Sequence, residues 1–199
     1  MQSIAFEIII AVIIAYLFGS ISTAIVTCKL MGLPDPRKQG SGNPGATNVL
    51  RFGGKKAAII TLIGDMLKGM LPVLALKWYG LNTIGLSCVA FAAFLGHLYP
   101  IFFRFQGGKG VATAFGCLVS LSWPLGFGLL ATWLVVAAIS RYSSLAAVLA
   151  ALLAPLYAWF MTNIPYTVTA CLISALLIYR HRKNIQNLVT GKESKIGSR

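Results

Sequence analysis

Long apolar segments separated by short basic loops constrain the fold of this chain more than any other feature. The 199 residues are 57% hydrophobic and only 11% charged, whereas soluble domains are about a quarter charged. A helix needs about 20 apolar residues to cross a bilayer. Segments that approach this length run over residues 4–26, 57–79, 83–102, 110–122, 124–140, 144–161 and 165–180. The sequence therefore predicts an all-α, polytopic integral membrane bundle of about seven transmembrane helices, with residues 1–199 as one domain.

The fourth and fifth segments carry the weakest signal, and they meet at Ser122-Trp123-Pro124. Proline breaks helical hydrogen bonding and disfavours a helical conformation in the residue before it, so a turn between two spans is favoured. If the two segments instead form one re-entrant element, the number of spans falls. Five spans is the main alternative.

Basic residues set the predicted orientation. The chain has 17 Lys and Arg against 4 Asp and Glu, a net charge of +13. All but two of the 17 fall in alternate loops or in the C-terminal tail; Lys68 lies within a span and Lys77 on the opposite side. Because basic loops remain in the cytoplasm, we expect the N-terminus outside and the C-terminus in the cytoplasm. Basic residues placed between apolar runs also favour membrane lipid and small anions as partners, and no nucleic acid.

The first glycine loop (residues 39–48) has the composition of an anion site. Glycines permit left-handed backbone and close approach, so successive N–H groups can point at an anion. Hydroxyl and amide side chains add neutral donors, and Arg51 adds a bidentate charged one. The candidate phosphate-binding residues here are Ser41, Gly42, Asn43, Thr47, Asn48 and Arg51. A plain polar turn between helices is the alternative interpretation.

The second glycine loop (residues 106–110) leads directly into an apolar span. Glycines ahead of a helix N-terminus, with one lysine among them, are typical of phosphate-binding loops. The spacing is not that of a Walker A motif, so nucleotide binding is not predicted. The candidate residues are Gly107, Gly108, Lys109 and Gly110. A flexible loop with a snorkelling lysine is the alternative.

Further polar candidates lie at the start of the sixth span and in the tail. Ser144 is a candidate N-cap or phosphate ligand. The tail contributes His181, Asn184 and Glu193, and Glu193 is a candidate substrate- or phosphate-binding residue. His181 follows the last span directly, where a histidine is either an interfacial residue or a proton acceptor near neutral pH.

Two ionisable residues lie inside the second span, and the cysteines carry no metal pattern. Asp65 and Lys68 are three residues apart, so they form either a structural ion pair or a substrate contact. The four cysteines occur singly, without a CxxC or a Cys/His ligand pattern. Neither a disulfide, nor a metal site, nor a cofactor is therefore predicted.

Together these motifs resemble the PlsY family, the bacterial membrane acylphosphate:glycerol-3-phosphate acyltransferases. The resemblance covers nearly the whole chain and rests on three segments in order, namely Ser41–Asn48 with Arg51, Gly107–Thr113, and His181–Ile185 followed by Gly191–Gly197. In the third segment, Lys183 stands where the family usually has an acidic residue and Asn187 where it usually has arginine.

The resemblance implies a seven-span fold in the bacterial inner membrane with an active site that faces the cytoplasm. It implies transfer of a fatty acyl group from acyl phosphate to the 1-hydroxyl of sn-glycerol 3-phosphate. The products are lysophosphatidic acid and phosphate, and the reaction is the first committed step of phospholipid synthesis. The expected partners are these two substrates, membrane lipid and, docked on the basic face, the soluble enzyme that makes acyl phosphate.

The residues also limit the mechanism. No Ser–His–Asp or Cys–His grouping supplies a nucleophile, and the His-x4-Asp pattern of another acyltransferase class is absent, since Phe102 follows His97 at that spacing. Acyl phosphate already has a good leaving group, so direct attack by the glycerol hydroxyl is our hypothesis. The catalytic candidates are Lys109, Asn184 and His181, with either His181 or a substrate phosphate accepting the proton.

Two other classes of protein compete with this interpretation. A transporter of a phosphorylated metabolite would also be basic and polytopic, but it would place its binding residues near the bilayer midplane. Only Asp65 and Lys68 are predicted there. A non-catalytic scaffold would need larger exposed surfaces than these short loops offer. The transporter is the main alternative to the enzyme.

Overall fold

The structure is a computed structural model that describes residues 2–197. Within that range it contains nine α-helices, two short 3-10 helices and no strand, so the all-α prediction is confirmed. The α-helices are α1 Gln2–Gly19, α2 Thr23–Leu30, α3 Ala46–Trp78, α4 Thr83–Leu98, α5 Val111–Leu121, α6 Trp123–Ser140, α7 Ser143–Met161, α8 Ile164–Arg180 and α9 Arg182–Val189.

Length and apolar composition support fewer membrane spans than the seven predicted. Four helices pass both criteria: α3, α4 with its extension to Phe103, α6 and α7. The pair α1 and α2, bent by 41°, adds a fifth if it is one span. Each predicted segment contains an apolar helix, but α5 has 11 residues and α8 has 17. The fourth and fifth segments are separate helices, as predicted, but the break between them is one extended residue, Ser122, and Trp123 and Pro124 already belong to α6. This interruption at Ser122 is one reason why α5 is short.

The outer surface of the bundle is apolar. Ile139 and Phe160 are 82% and 76% exposed, and large apolar side chains are exposed along most helices. Soluble proteins rarely expose apolar surface on this scale. The chain is therefore an integral membrane protein.

Small residues allow the helices to approach closely. A Cβ at Gly96 of α4 would overlap the main chain of α1, and a Cβ at Gly116 of α5 would overlap the Met66 carbonyl of α3. Small residues at helix interfaces are the usual device for tight packing in membranes. Helix α4 is the most enclosed of the four long spans. The close packing fixes the positions of α4 and α5 along their neighbours. The second glycine loop lies between these two helices in the chain, so its position is fixed as well.

Helix α3 is broken near its start. Gly54 has φ 80° and ψ 177°, which separates a short first part that carries Arg51 from the long span. A positive φ of this kind is readily adopted only by glycine. The break lets the first part of α3 lie beside the first glycine loop rather than continue the axis of the span.

We predict that Gly116→Ala destabilises the protein, because the methyl group meets main-chain atoms of α3 that cannot move aside. Overpacking of this kind costs about 1–3 kcal/mol, so the thermal unfolding midpoint of the purified protein should fall. Gly128→Ala in α6 is the matched control, since its Cβ would lie 3.4 Å from the Tyr157 ring, an ordinary contact. Equal midpoints for the two variants would contradict the packing argument.

Candidate active site

A basic cleft of about 680 Å³ lies where the two glycine loops meet the junction of α8 and α9. Its lining residues are Ser41, Gly42, Asn43, Gly107, Lys109, Arg180, Arg182, Lys183 and Gln186. Four of these nine residues are Lys or Arg and none is acidic. The charge and the many available donors suit an anion with several oxygens, such as a phosphate group.

Three segments far apart in the sequence thus converge on one cleft. Five of its lining residues are among those that the motifs predict, namely Ser41, Gly42, Asn43, Gly107 and Lys109. The lining does not include Thr47, Arg51 or His181. Arg51 is nevertheless near enough for its charge to act on Lys109. The exposed hydroxyl of Thr47 lies 3.4 Å from that of Ser143.

Asn48 shapes the first glycine loop from its buried position at the start of α3, where it is 2% exposed. Its amide nitrogen donates to the carbonyls of Pro36 and Gln39 at 3.0 and 2.9 Å. Its oxygen accepts from the backbone N–H of Ser41 at 2.9 Å. An asparagine amide has two N–H donors, so Asn48 has none left for a ligand. The motif predicts a phosphate contact here, whereas in this structure the residue holds the loop.

Arg180 clamps the second glycine loop. Its guanidinium donates to the carbonyl of Gly107 at 2.8 Å and twice to that of Gly108, at 3.0 and 3.2 Å. The same group lies over the Tyr99 ring, 5.6 Å from the ring centre. Sequence reasoning missed this residue, because its type does not distinguish it from the other basic residues. Its place directly before the third motif is the one signal that could have indicated it.

A hydrogen-bonded chain joins the cleft to the tail. Lys109 Nζ donates to Asn184 Oδ1 at 2.5 Å, and Asn184 Nδ2 donates to Glu193 Oε1 at 2.7 Å. Ser144 Oγ donates to the same carboxylate oxygen at 2.6 Å, and Asn187 Nδ2 reaches the other at 3.4 Å. The motif predicts phosphate contacts at Ser144 and Glu193. A carboxylate repels phosphate, so the structure favours Glu193 as the acceptor that orients Asn184.

Burial lowers the pKa of Lys109 to about 8, and the nearby charges of Arg51, Arg180 and Lys183 act in the same direction. Glu193 partly offsets these effects. The amine is therefore still mostly protonated at neutral pH. A bound phosphate would favour the charged form further.

His181 is not part of the lining of the cleft, and it is 3% exposed. Its Nδ1 is 2.8 Å from the Leu177 carbonyl, which can only accept, so this nitrogen carries the proton and Nε2 is the free basic atom. Burial lowers the pKa of His181 to about 4. The imidazole is thus neutral at pH 7 and a weak proton acceptor.

Asp65 and Lys68, both buried, form an ion pair of 2.9 Å within the bundle. Neither lines the cleft. Among residues 2–197, no three His, Cys, Asp or Glu side chains lie together in a way that could hold a metal ion. The four cysteines are free.

A helical integral membrane protein with this cleft belongs to the class of membrane proteins that handle anionic, phosphate-bearing ligands. A family model described as glycerol-3-phosphate acyltransferase matches residues 9–191. The chain belongs to this family, that of the PlsY acyltransferases. The resemblance seen in the motifs is therefore confirmed.

Relatives and solved structures agree with this membership. Glycerol-3-phosphate acyltransferase from Thioalkalivibrio sulfidiphilus is 57% identical over 186 residues, which cover 93% of this chain and 92% of the relative. The protein of that name from Cupriavidus necator is 59% identical over 190 residues, covering 93% and 94%. The crystal structure of PlsY, an integral membrane glycerol 3-phosphate acyltransferase, in its glycerol 3-phosphate form has a TM-score of 0.91, is 42% identical and covers 96% of both chains. The lysophosphatidic acid form has a TM-score of 0.89 and is 41% identical.

Proposed function

We propose that this protein transfers a fatty acyl group from acyl phosphate to the 1-hydroxyl of sn-glycerol 3-phosphate, with lysophosphatidic acid and phosphate as products. The observation that carries the proposal is the convergence of both glycine loops and four basic residues on one cleft without a carboxylate in its lining. Both proposed substrates carry phosphate. The relatives share the name of the activity, and the solved PlsY forms are named for glycerol 3-phosphate and lysophosphatidic acid.

The proposed site is the cytoplasmic face of the bacterial inner membrane. We infer seven crossings, by α1, α3, α4, α5, α6, α7 and α8, within one domain over residues 1–199. In support, α5 and α8 are apolar and contribute to the same buried core as the longer helices. The basic loops then lie on one side, as the positive-inside rule requires. That side also offers membrane lipid and a surface for the soluble enzyme that makes acyl phosphate.

The proposed chemistry is a direct acyl transfer. The 1-hydroxyl oxygen of glycerol 3-phosphate attacks the acyl carbon and forms the new ester bond. The bond from that carbon to the phosphate oxygen then breaks, and phosphate leaves with the electron pair. Lys109, oriented by Asn184, would stabilise the leaving phosphate. Arg51, Ser41 and the glycine-loop N–H groups would hold the phosphates so that the reacting atoms meet.

The hydroxyl proton goes to a substrate phosphate rather than to His181. An efficient base has a pKa near the working pH, and burial lowers that of His181 to about 4. Phosphate monoesters titrate much closer to neutrality, with a second pKa of about 6. In this account His181 supports the end of α8 through its bond to Leu177.

A transporter is disfavoured by the position of the basic residues. The cleft lies where loops meet the ends of α8 and α9, while the buried charges within the bundle, Asp65 and Lys68, are already paired with each other. A transport site would lie near the midplane, with groups free to bind the substrate.

The first test of this function uses the purified protein in lipid vesicles with radiolabelled glycerol 3-phosphate and, in turn, acyl phosphate, acyl carrier protein thioester and acyl-CoA. We expect labelled lysophosphatidic acid with acyl phosphate. Lys109→Met should lower turnover by about 10²-fold or more, the cost of removing one key electrostatic group. Product formation from a thioester but not from acyl phosphate would refute the proposed donor.

The second test concerns the proton acceptor. His181→Asn keeps an N–H that can reach the Leu177 carbonyl but removes the basic nitrogen. We expect kcat to remain within about fivefold of the wild type, whereas loss of a general base costs about 10²–10⁴-fold. A loss in the latter range, with an unchanged unfolding midpoint, would assign the proton transfer to His181.

The third test is the alkaline limb of the pH profile. The Lys109 amine is charged below its pKa of about 8 and neutral above it. The value of kcat/KM reports groups of the free enzyme, so it should fall as the pH rises through about 8. Lys109→Arg keeps its charge throughout this range, and the fall should move up by about one pH unit or more. An identical limb in both proteins would exclude Lys109 as its source.

A further inference from the structure

A buried polar cluster lies inside the bundle, directly beneath the second glycine loop. It consists of Asp65 and Lys68 from α3, His97 from α4 and Thr113 from α5, all of them buried. None of them lines the cleft. Ionisable residues within a membrane are costly to bury and usually mark a functional element.

The hydrogen bonds of this cluster fix the orientation of the His97 ring. Thr113 Oγ1 donates its one hydrogen to the Asp65 carbonyl at 2.8 Å. The hydroxyl also lies 3.0 Å from His97 Nδ1, so it must accept there, and Nδ1 must carry the proton. The Asp65 carboxylate is 3.5 Å from the same nitrogen. The imidazole is therefore held by two other helices along its Nδ1 edge.

The rest of the cluster anchors Asp65. Lys68 Nζ lies 2.9 Å from the Asp65 carboxylate and donates to the Ile21 carbonyl at 2.8 Å, at the break between α1 and α2. Thr23 at the start of α2 also donates to this carboxylate. Every charged or hydroxyl member of the cluster thus has a partner, as a stable buried polar group requires.

The opposite edge of the ring supports the second glycine loop. A Cβ at Gly108 would overlap His97 Nε2, and one at Gly107 would overlap the His97 carbonyl. The N–H of Gly108 donates to that same carbonyl at 3.3 Å. Arg180 holds the other side of the loop through the carbonyls of both glycines. The loop is thus fixed between His97 and Arg180 at Gly107 and Gly108, and Lys109 is the next residue of the loop.

We propose that His97 is a positioning residue: its ring, oriented by Thr113 and Asp65, sets the location of Gly108 and Lys109 and so the affinity for glycerol 3-phosphate. This inference rests on the proposed function, since it assigns glycerol 3-phosphate as the ligand of the cleft. His97 itself touches no substrate. Its effect passes through the main chain of the loop.

The proposal is tested by a double-mutant cycle, in which one change removes the His97 ring and the other adds a methyl group at Gly108. His97→Ala removes the support, and Gly108→Ala introduces a methyl group that clashes with the ring. Each change alone should weaken equilibrium binding of radiolabelled glycerol 3-phosphate at least about tenfold. In the double variant the methyl group occupies the vacated space and keeps one close contact, 3.0 Å from the Pro44 carbonyl, so binding should recover most, but not all, of the loss. A role in stability alone would give no such recovery, because the effects of independent changes add.

A second cycle tests the orientation of the ring. Thr113→Val removes the acceptor for Nδ1 at nearly constant volume. It should weaken binding severalfold in the wild type and not further in the His97→Ala background. Ser87→Ala is the matched control on α4, since the Ser87 hydroxyl is buried without a hydrogen-bond partner. Binding should be unchanged there. His97→Asn, which is too short to reach Gly108 but keeps a donor toward Thr113, replaces His97→Ala in the first cycle if the alanine variant does not fold.

Normal binding by the single variants, or no recovery in the double variant, would overturn the positioning role. The proposed function is judged separately, by acyl transfer in the wild type. If the wild type binds glycerol 3-phosphate but transfers no acyl group, the proposed reaction fails while the binding cycles still decide the role of His97. If the wild type does not bind glycerol 3-phosphate, both proposals fail.

Discussion

The contact between the Lys109 amine and the Asn184 amide is the interaction on which the site depends. It joins the second glycine loop to α9, and Glu193 extends it to the tail and to Ser144 of α7. A partly buried amine needs a hydrogen-bond acceptor in order to remain charged. The acceptor must also be neutral, because a carboxylate paired directly with the amine would cancel its attraction for a phosphate. Asn184 meets both conditions, because its oxygen accepts from the amine while its nitrogen donates to the carboxylate. Glu193 thus acts on the cation through an amide rather than by direct pairing.

Two of the four acidic residues support the second glycine loop through other side chains. Asp65 orients His97, which packs against Gly108, whereas Glu193 orients Asn184, which accepts from Lys109. Each carboxylate is surrounded by donors, and neither lines the cleft. The protein thereby keeps a strongly positive surface for the anion and uses its few negative charges as fixed acceptors. A carboxylate placed in the cleft would oppose phosphate binding directly.

Composition and motif order were enough to predict the helical membrane fold, the two glycine loops and the place of Lys109. The residue types did not reveal which polar groups face the ligand. The motifs place both Asn48 and Glu193 among the ligand contacts, but Asn48 uses its two N–H donors to hold the first glycine loop, and Glu193 accepts from Ser144 and Asn184. Arg180 resembles every other basic residue at this end of the bundle, and His97 is a lone histidine in an apolar helix. Such roles depend on contacts between segments that only the folded chain brings together. Helix α5 falls short of a full span because the backbone at both its ends is not helical: Gly110 is left-handed and Ser122 is extended.

Among the described residues, the lining of the cleft contains neither a carboxylate nor a cysteine, and this suits the proposed donor. A thioester or amide donor calls for strong activation, whereas an acyl phosphate carries a leaving group that departs as a stable anion. A cleft lined by cations and backbone donors stabilises that anion as it forms, which is where electrostatic catalysis is most effective. In the proposed reaction the same cations would bind the phosphate of the acceptor and hold its hydroxyl near the acyl carbon. The proton would then need no acceptor from the protein, since the phosphates of the two proposed substrates titrate nearer to neutrality than the buried imidazole of His181.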